Sequence, residues 1–284
     1  MKKLIVNADD LGADEPRNAG IFEAIEAGVV TSASVLANGP AIEDALRRIR
    51  FSLWKGVSFG IHLNLSEGRP LTGRLHFLAG PDGFFPGKTQ AQKLFQQRGN
   101  AALKEEIYRE TAAQVEALLQ FGVPITHLDG HQHLQVFPAV IETALRAAET
   151  FGIPWMRIPD EPPQGHLNDR FLEAEARMFG GFAAEARPCA ATSTVSVPDH
   201  FRGLYLKGRL TPSLLKNTLE HLPDGLTELM VHPGRVPAGT LQGPFSSFST
   251  RDRETELMVL LGEEFRDALS EYGVCLTPFP EVNA

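Results

Sequence analysis

Short apolar runs alternate with amphipathic segments from one end of this chain to the other, and that alternation restricts the fold more than any other feature. Strands separated by helices pair in parallel, because the chain must cross back over the sheet before the next strand starts. Strands are expected near 3–7, 32–37, 57–65, 125–128, 155–158, 194–197, 227–231 and 274–277. Helices are expected near 18–27, 41–49, 101–121, 139–150, 168–185, 212–221 and 251–272, the last opened by a capping box of Ser249 and Asp252. About eight such units in 284 residues fit one domain, 1–284, folded as a TIM-like (β/α) barrel that is closed or nearly closed. An open, doubly wound sheet is the rival architecture.

The segment 66–100 breaks the alternation. It is rich in glycine and proline and contains Gly80-Pro81-Asp82-Gly83-Phe84-Phe85-Pro86-Gly87. A loop insertion of this length is usually a functional lid or an unstructured excursion. Phe84 and Phe85 either stack on the ring of a ligand or anchor the loop to the body.

Charge excludes whole classes of function. The net charge is −8 with no cluster of lysine or arginine, so the chain lacks the means to neutralise nucleic-acid phosphates or to hold an anionic membrane surface. No stretch approaches the roughly 18 apolar residues of a membrane span, and the apolar run after Met1-Lys2-Lys3 stops too soon for a signal peptide, so a cytoplasmic location is expected. Cys189 and Cys275 have no neighbours at metal-ligand spacing and are expected to be buried, reduced thiols.

Chemistry-bearing residues collect where the expected strands end, which in α/β barrels is where sites form. Asn7-Ala8-Asp9-Asp10-Leu11-Gly12 places two adjacent carboxylates after the first strand. Like charges this close need a cation or donors, and one can bind a metal while the other serves as general base. A helix N-cap or a phosphoacceptor site uses the same residues. Gly60-Ile61-His62-Leu63-Asn64-Leu65 puts His62 and Asn64 on one face of a strand. Thr126-His127-Leu128-Asp129-Gly130-His131-Gln132-His133 is the strongest local signal. In an extended backbone His127, Asp129, His131 and His133 would point the same way, with Asp129 placed to orient a ligating imidazole. Met230-Val231-His232-Pro233-Gly234 ends an apolar strand in a histidine able to protonate a leaving group. Arg157, the one cation near these motifs in sequence, can pair with Asp9. One Asp and two His leave open positions for water and substrate, as catalytic metal sites require.

Taken in order, NADDLG, GIHLNL, THLDGHQH and VHPG make the chain resemble the YdjC-like carbohydrate deacetylases, which include chitooligosaccharide deacetylase and deacetylase-like proteins of hopanoid biosynthesis. The likeness spans nearly the whole chain. It implies a distorted or incomplete (β/α) barrel, and a hydrolase that removes acetyl from an N-acetylated sugar, either an oligosaccharide or a glycolipid head group. It implies one divalent metal, Mg or Zn (Mn, Co and Ni being alternatives), held by Asp10, His62 and His131. Asp9 then matches the base that activates water and His232 the acid. Asp129, His133, Asn64, Arg157, Phe84 and Phe85 are expected around the substrate or behind the ligands. Where this chain has Gln132, related proteins often carry another histidine, which leaves the part of His133 open. The competing readings are another metallohydrolase, a phosphoesterase or an amidohydrolase, and a sugar-binding barrel without catalysis. A homodimer is a common outcome for such a chain.

Overall fold

The computed structural model describes residues 1–52, 56–162, 169–239, 241–248 and 250–281. Eight strands lie in one sheet: β1 (Lys2–Leu11), β2 (Ser32–Val35), β3 (Ser58–Leu63), β4 (Ile125–Gly130), β5 (Trp155–Met156), β6 (His200–Arg202), β7 (Gly225–Val231) and β8 (Val274–Leu276). Their order is β5-β4-β3-β2-β1-β7-β6, and every pairing is parallel. β8 joins β1 only at Lys2–Leu4.

The ring does not close by strand pairing. β5 and β6 are short edges; among the described residues β5 meets the segment before β6 through an isolated bridge between Trp155 and Ser196, where the Met156 amide donates to the Ser196 carbonyl at 2.9 Å. The result is a distorted, incomplete barrel. The strand expected at 194–197 reduces to this bridge, and the paired residues lie a few positions later in β6.

Nine helices are described. α1 (Glu15–Glu26), α2 (Ile42–Ser52), α3 (Lys88–Phe95), α4 (Ala101–Gln120) and α5 (Ile141–Thr150) are followed by α6 (Arg170–Ala191), α7 (Pro212–Glu220), α8 (Arg251–Leu261) and α9 (Glu263–Glu271). The single helix expected over 251–272 is two, because Gly262 takes extended angles (φ −62°, ψ 150°) between them. Ser249 of its expected capping box lies outside the described residues. So does Asn168, the expected start of α6; the observed cap is Asp169, which accepts from the amides of Phe171 and Leu172. The 66–100 insertion contains α3, which the glycine and proline content hid. It is strapped to α4 by two buried carboxylates. Glu106 accepts from the amides of His76, Phe77 and Leu78, and Glu110 from those of Leu71 and Thr72 and from the Thr72 hydroxyl. No helix among the described residues is long and apolar enough to cross a membrane. The cysteines are free, but Cys189 is half-buried and Cys275 exposed, against the expectation of two buried thiols.

Strand periodicity sorts β1 into two faces. Leu4, Val6 and Ala8 join the large core beneath the helices, whereas Ile5 packs inside the barrel with Leu226 and Phe279, and with the half-buried Trp155. Counting on by twos from that apolar floor gives Asn7 and Asp9 on β1, Glu228 and Met230 on β7, Arg157 after β5, and His127, Asp129 and His131 on and after β4. The barrel interior is therefore apolar at one end and increasingly polar towards the C-terminal ends of the strands. Gly60 is required by this filling, since a Cβ there would lie 2.4 Å from the His127 ring.

Candidate active site

Asp9 and Asp10 are both buried at the end of β1, although adjacent strand residues face opposite ways. The β1–β2 register shifts between Ala8 and Leu11, and Asp10 has φ +66°. That left-handed residue turns its carboxylate out of the alternation, so that both acids line one cavity.

Asp10 faces two imidazoles. Its Oδ1 lies 2.8 Å from His131 Nδ1 and 3.3 Å from His62 Nε2, while its Oδ2 accepts from Arg17 Nη1 at 3.0 Å. Against burial, which would raise it, His131 and Arg17 hold the Asp10 carboxyl well below its usual range. Asp129 Oδ1 sits 2.7 Å from His62 Nδ1, the far side of that ring. Burial opposes a charge on His62, but Asp129 and Asp9 outweigh it and raise the imidazole to about 10. The ligand atoms of Asp10, His62 and His131 lie within 4.8 Å of one another. A carboxylate oxygen and two ring nitrogens, with a further carboxylate bonded behind one ring, form a donor set that fits a divalent cation. Asp9, His62 and Asp129 converge equally closely, but both carboxylates of that group are already engaged by Arg157.

Arg157 is fully buried and serves three acids. Its two terminal nitrogens donate to the two Asp9 oxygens at 2.7 Å each; Nη2 also meets Asp129 Oδ2 at 2.8 Å, and Nε donates to Glu228 Oε1 at 2.8 Å. Burial alone would raise the Asp9 carboxyl, but this clamp lowers it. Burial does win at Glu228, which is pushed up to about 7. Below the clamp, the Ser34 hydroxyl donates to Asp129 Oδ2 at 2.6 Å and accepts from Asn7 Nδ2 at 2.8 Å.

His232 closes the cavity after β7, with Nε2 4.0 Å from Asp9 Oδ2. Its backbone amide donates to Glu256 Oε2 at 2.6 Å, and the same carboxylate lies 3.9 Å from its Nδ1. Burial, reinforced by Arg253, holds the His232 imidazole well below its ordinary value, so the ring is neutral.

The structure thus gathers Asp9, Asp10, His62, Asp129, His131, Arg157 and His232. It does not continue the extended alternation to His133. β4 ends at Gly130, and a short 3-10 turn over His131–Val136 contains left-handed Gln132 and His133. His133 still lines the cavity, packed edge-on against Phe179 at 4.8 Å between ring centroids. Asn64 is directed elsewhere: β3 ends at Leu63, and Asn64 ties the following turn together by donating to the Glu67 carbonyl and to Asn38 Oδ1. Phe85 is buried in the main core and anchors the insertion, while Phe84 lies beneath the Arg69 guanidinium, 3.9 Å from the ring centre. Neither lines the cavity.

Six contributors were not read from the sequence. Arg17 and Glu256 reach the site from helices and carry no local mark. Glu228 was readable, as a charged residue four positions before His232 on an otherwise apolar strand. The cations number more than Arg157, because Lys88, Lys207 and Arg253 also line the cavity.

The model of the family described as YdjC-like protein matches residues 3–271. A Mus musculus protein named carbohydrate deacetylase is 35% identical over 99% of this chain and 95% of its own length. A chitooligosaccharide deacetylase of Escherichia fergusonii is 31% identical over 98% of each chain. A crystal structure from Enterococcus faecalis V583, described as a candidate cellobiose-phosphate cleavage protein, shares the fold with a TM-score of 0.74 at 22% identity, covering 98% of this chain and 97% of that one. By the extent of the family match and of its relatives, the chain belongs to the YdjC-like protein family.

Proposed function

We propose that the chain is a metal-dependent hydrolase that removes an acetyl group from an N-acetylated sugar, either an oligosaccharide or a glycolipid head group. The observation that carries this reading is the buried Asp10, His62 and His131 cluster beside an arginine-clamped Asp9, in a family whose relatives are named carbohydrate deacetylases. One divalent ion, Mg or Zn, would be held by Asp10, His62 and His131. When bound it would polarise the acetamide carbonyl and acidify a water.

The chain's own groups divide the proton work. Arg157 keeps Asp9 ionised and fixed, so an arginine-paired carboxylate stands ready to accept a proton from the attacking water. His232 begins neutral and lies one short step from Asp9, so the proton it gives to the departing amine is one received during the reaction. Hydroxide adds to the carbonyl carbon, the C–N bond breaks, the amine takes the proton from His232, and acetate leaves. Asp129 holds the His62 ring so that Nε2 faces the cluster.

The test is acetate release from N-acetylglucosamine oligosaccharides and glycolipid head groups by metal-loaded wild type and Asp9→Asn. Release that falls at least 100-fold in the variant supports both reaction and base. Lys88, Lys207 and Arg253 are the observation that favours a phosphoesterase instead; turnover of p-nitrophenyl phosphate with no acetate release would establish that alternative.

A further inference from the structure

The turn at Gln132 and His133 has no role in the chemistry above. Both residues take left-handed angles, φ 58° and 56°, a region uncommon for residues other than glycine and one that continued strand would have avoided. Strain of this kind persists where the surroundings enforce it and is typical of ligand clamps. Here it sets both side chains into the cavity wall that also carries Asp9, Asp10 and His232. Each brings a buried polar atom with no hydrogen-bond partner among the described residues, Gln132 Oε1 and His133 Nδ1. Such atoms are rare in folded proteins.

The geometry assigns them hydrogen-bonding roles. Gln132 Nε2 lies 3.4 Å from His131 Nε2, a contact whose donor depends on the tautomer of that ring, and the rest of the amide borders the cavity. His133 is 6% exposed, and the rings of Phe179 and Phe201 pack against it edge-on. Its Nδ1 is buried without a partner among the described residues, so the ring carries hydrogen-bonding capacity that the protein does not use. At the mouth, Lys88 and Lys207 share Glu175, at 2.5 Å and 3.7 Å. Beside them, two uncharged hydrogen-bonding side chains stand next to each other in the wall.

We propose that Gln132 and His133 are the pair that reads the sugar, the Gln132 amide and the His133 imidazole each hydrogen-bonding one of two neighbouring ring hydroxyls. Adjacent hydroxyls, each both donor and acceptor, match this arrangement. The inference rests on the deacetylase reading for its ligand and adds to it the residues that set substrate selection.

The experiment uses N,N′-diacetylchitobiose with the metal-loaded full chain. Gln132→Met keeps length without the amide, and His133→Phe keeps the ring contacts without the nitrogens. Each is expected to raise KM threefold to tenfold, the usual worth of one uncharged hydrogen bond, with kcat within about twofold at saturating metal. A substrate-side arm is independent of how the variants fold: the disaccharide deoxygenated at the hydroxyl beside the acetamido group should show the same rise in KM with wild type. Unchanged KM in the variants or with the deoxy sugar overturns the proposal. Absence of acetate release by wild type counts against the deacetylase reading alone. The pair is then judged by calorimetric binding of the disaccharide, where weaker binding by both variants supports it and equal or absent binding overturns it.

Discussion

Replacing Arg157 by glutamine should be among the most damaging single changes in the chain, and its size can be worked from the contacts. The guanidinium is fully buried and is within 2.8 Å of oxygens on Asp9, Asp129 and Glu228. Removing one partner of a buried ion pair costs about 3–5 kcal/mol, because an uncompensated charge is left behind. In a chain of this size that corresponds to roughly 6–15 °C in melting temperature, read by scanning calorimetry at pH 7. The same change acts on the pH profile of acetate release. Burial raises the Asp9 carboxyl and the clamp lowers it, so without the clamp Asp9 protonates at higher pH. A carboxylate with a depressed folded value stabilises the protein above its unfolded value, near 3.8, and that contribution is lost as pH falls through the folded one. Wild type should therefore keep its activity well into acid, whereas Arg157→Gln should show its acid limb displaced upward and neutral-pH activity lower by about 100-fold. Arg157→Lys, which keeps the charge without the fork, should lie between. A melting temperature within about 2 °C of wild type together with an unmoved acid limb would refute the reasoning.

Three further outcomes follow from the geometry. Asp129→Asn should weaken metal binding by about 10- to 100-fold in a metal titration, since the carboxylate orients His62 from behind; unchanged affinity would remove Asp129 from that role. Glu161, which burial pushes up to about 7, favours the folded state below its unfolded value of 4.5, and that contribution is lost as pH rises through about 7. Glu161→Gln, still able to accept from the amides of Gly203 and Leu204, should flatten the decline of stability between pH 5 and 7 in urea titrations, and an identical slope would contradict this. Glu110→Ala removes three bonds to the insertion and should cost about 1–3 kcal/mol while exposing the chain near Leu71 and Thr72 to limited proteolysis; resistance equal to wild type would show that the strap is redundant.

Several parts of this site were legible because they depend on local rules. The two-residue period of a strand lines up His127, Asp129 and His131, and a histidine ending the apolar strand β7 marks the cavity edge; that Asp129 stands behind His62 is decided by the β3–β4 register. Parallel pairing follows from strand–helix alternation for the same reason, since each unit of the pattern is short. The expectation for Asn64 misled because β3 stops one residue earlier, at Leu63, and periodicity carries no information past the end of a strand.

The remaining features exist only in the folded chain. Arg17 reaches Asp10 from a helix, and Glu256 accepts from His232 across 24 residues. A charged side chain on a helix reads the same whether it faces solvent or a cavity, and only the packing of α1 and α8 decides. The left-handed turns at Asp10, Gln132 and His133 are likewise not marked by glycine in the sequence, because the surrounding contacts impose them. The sequence by itself determined a parallel α/β chain with acids and histidines at its strand ends. Tertiary structure decided which of them meet, since convergence depends on long-range packing and periodicity is local.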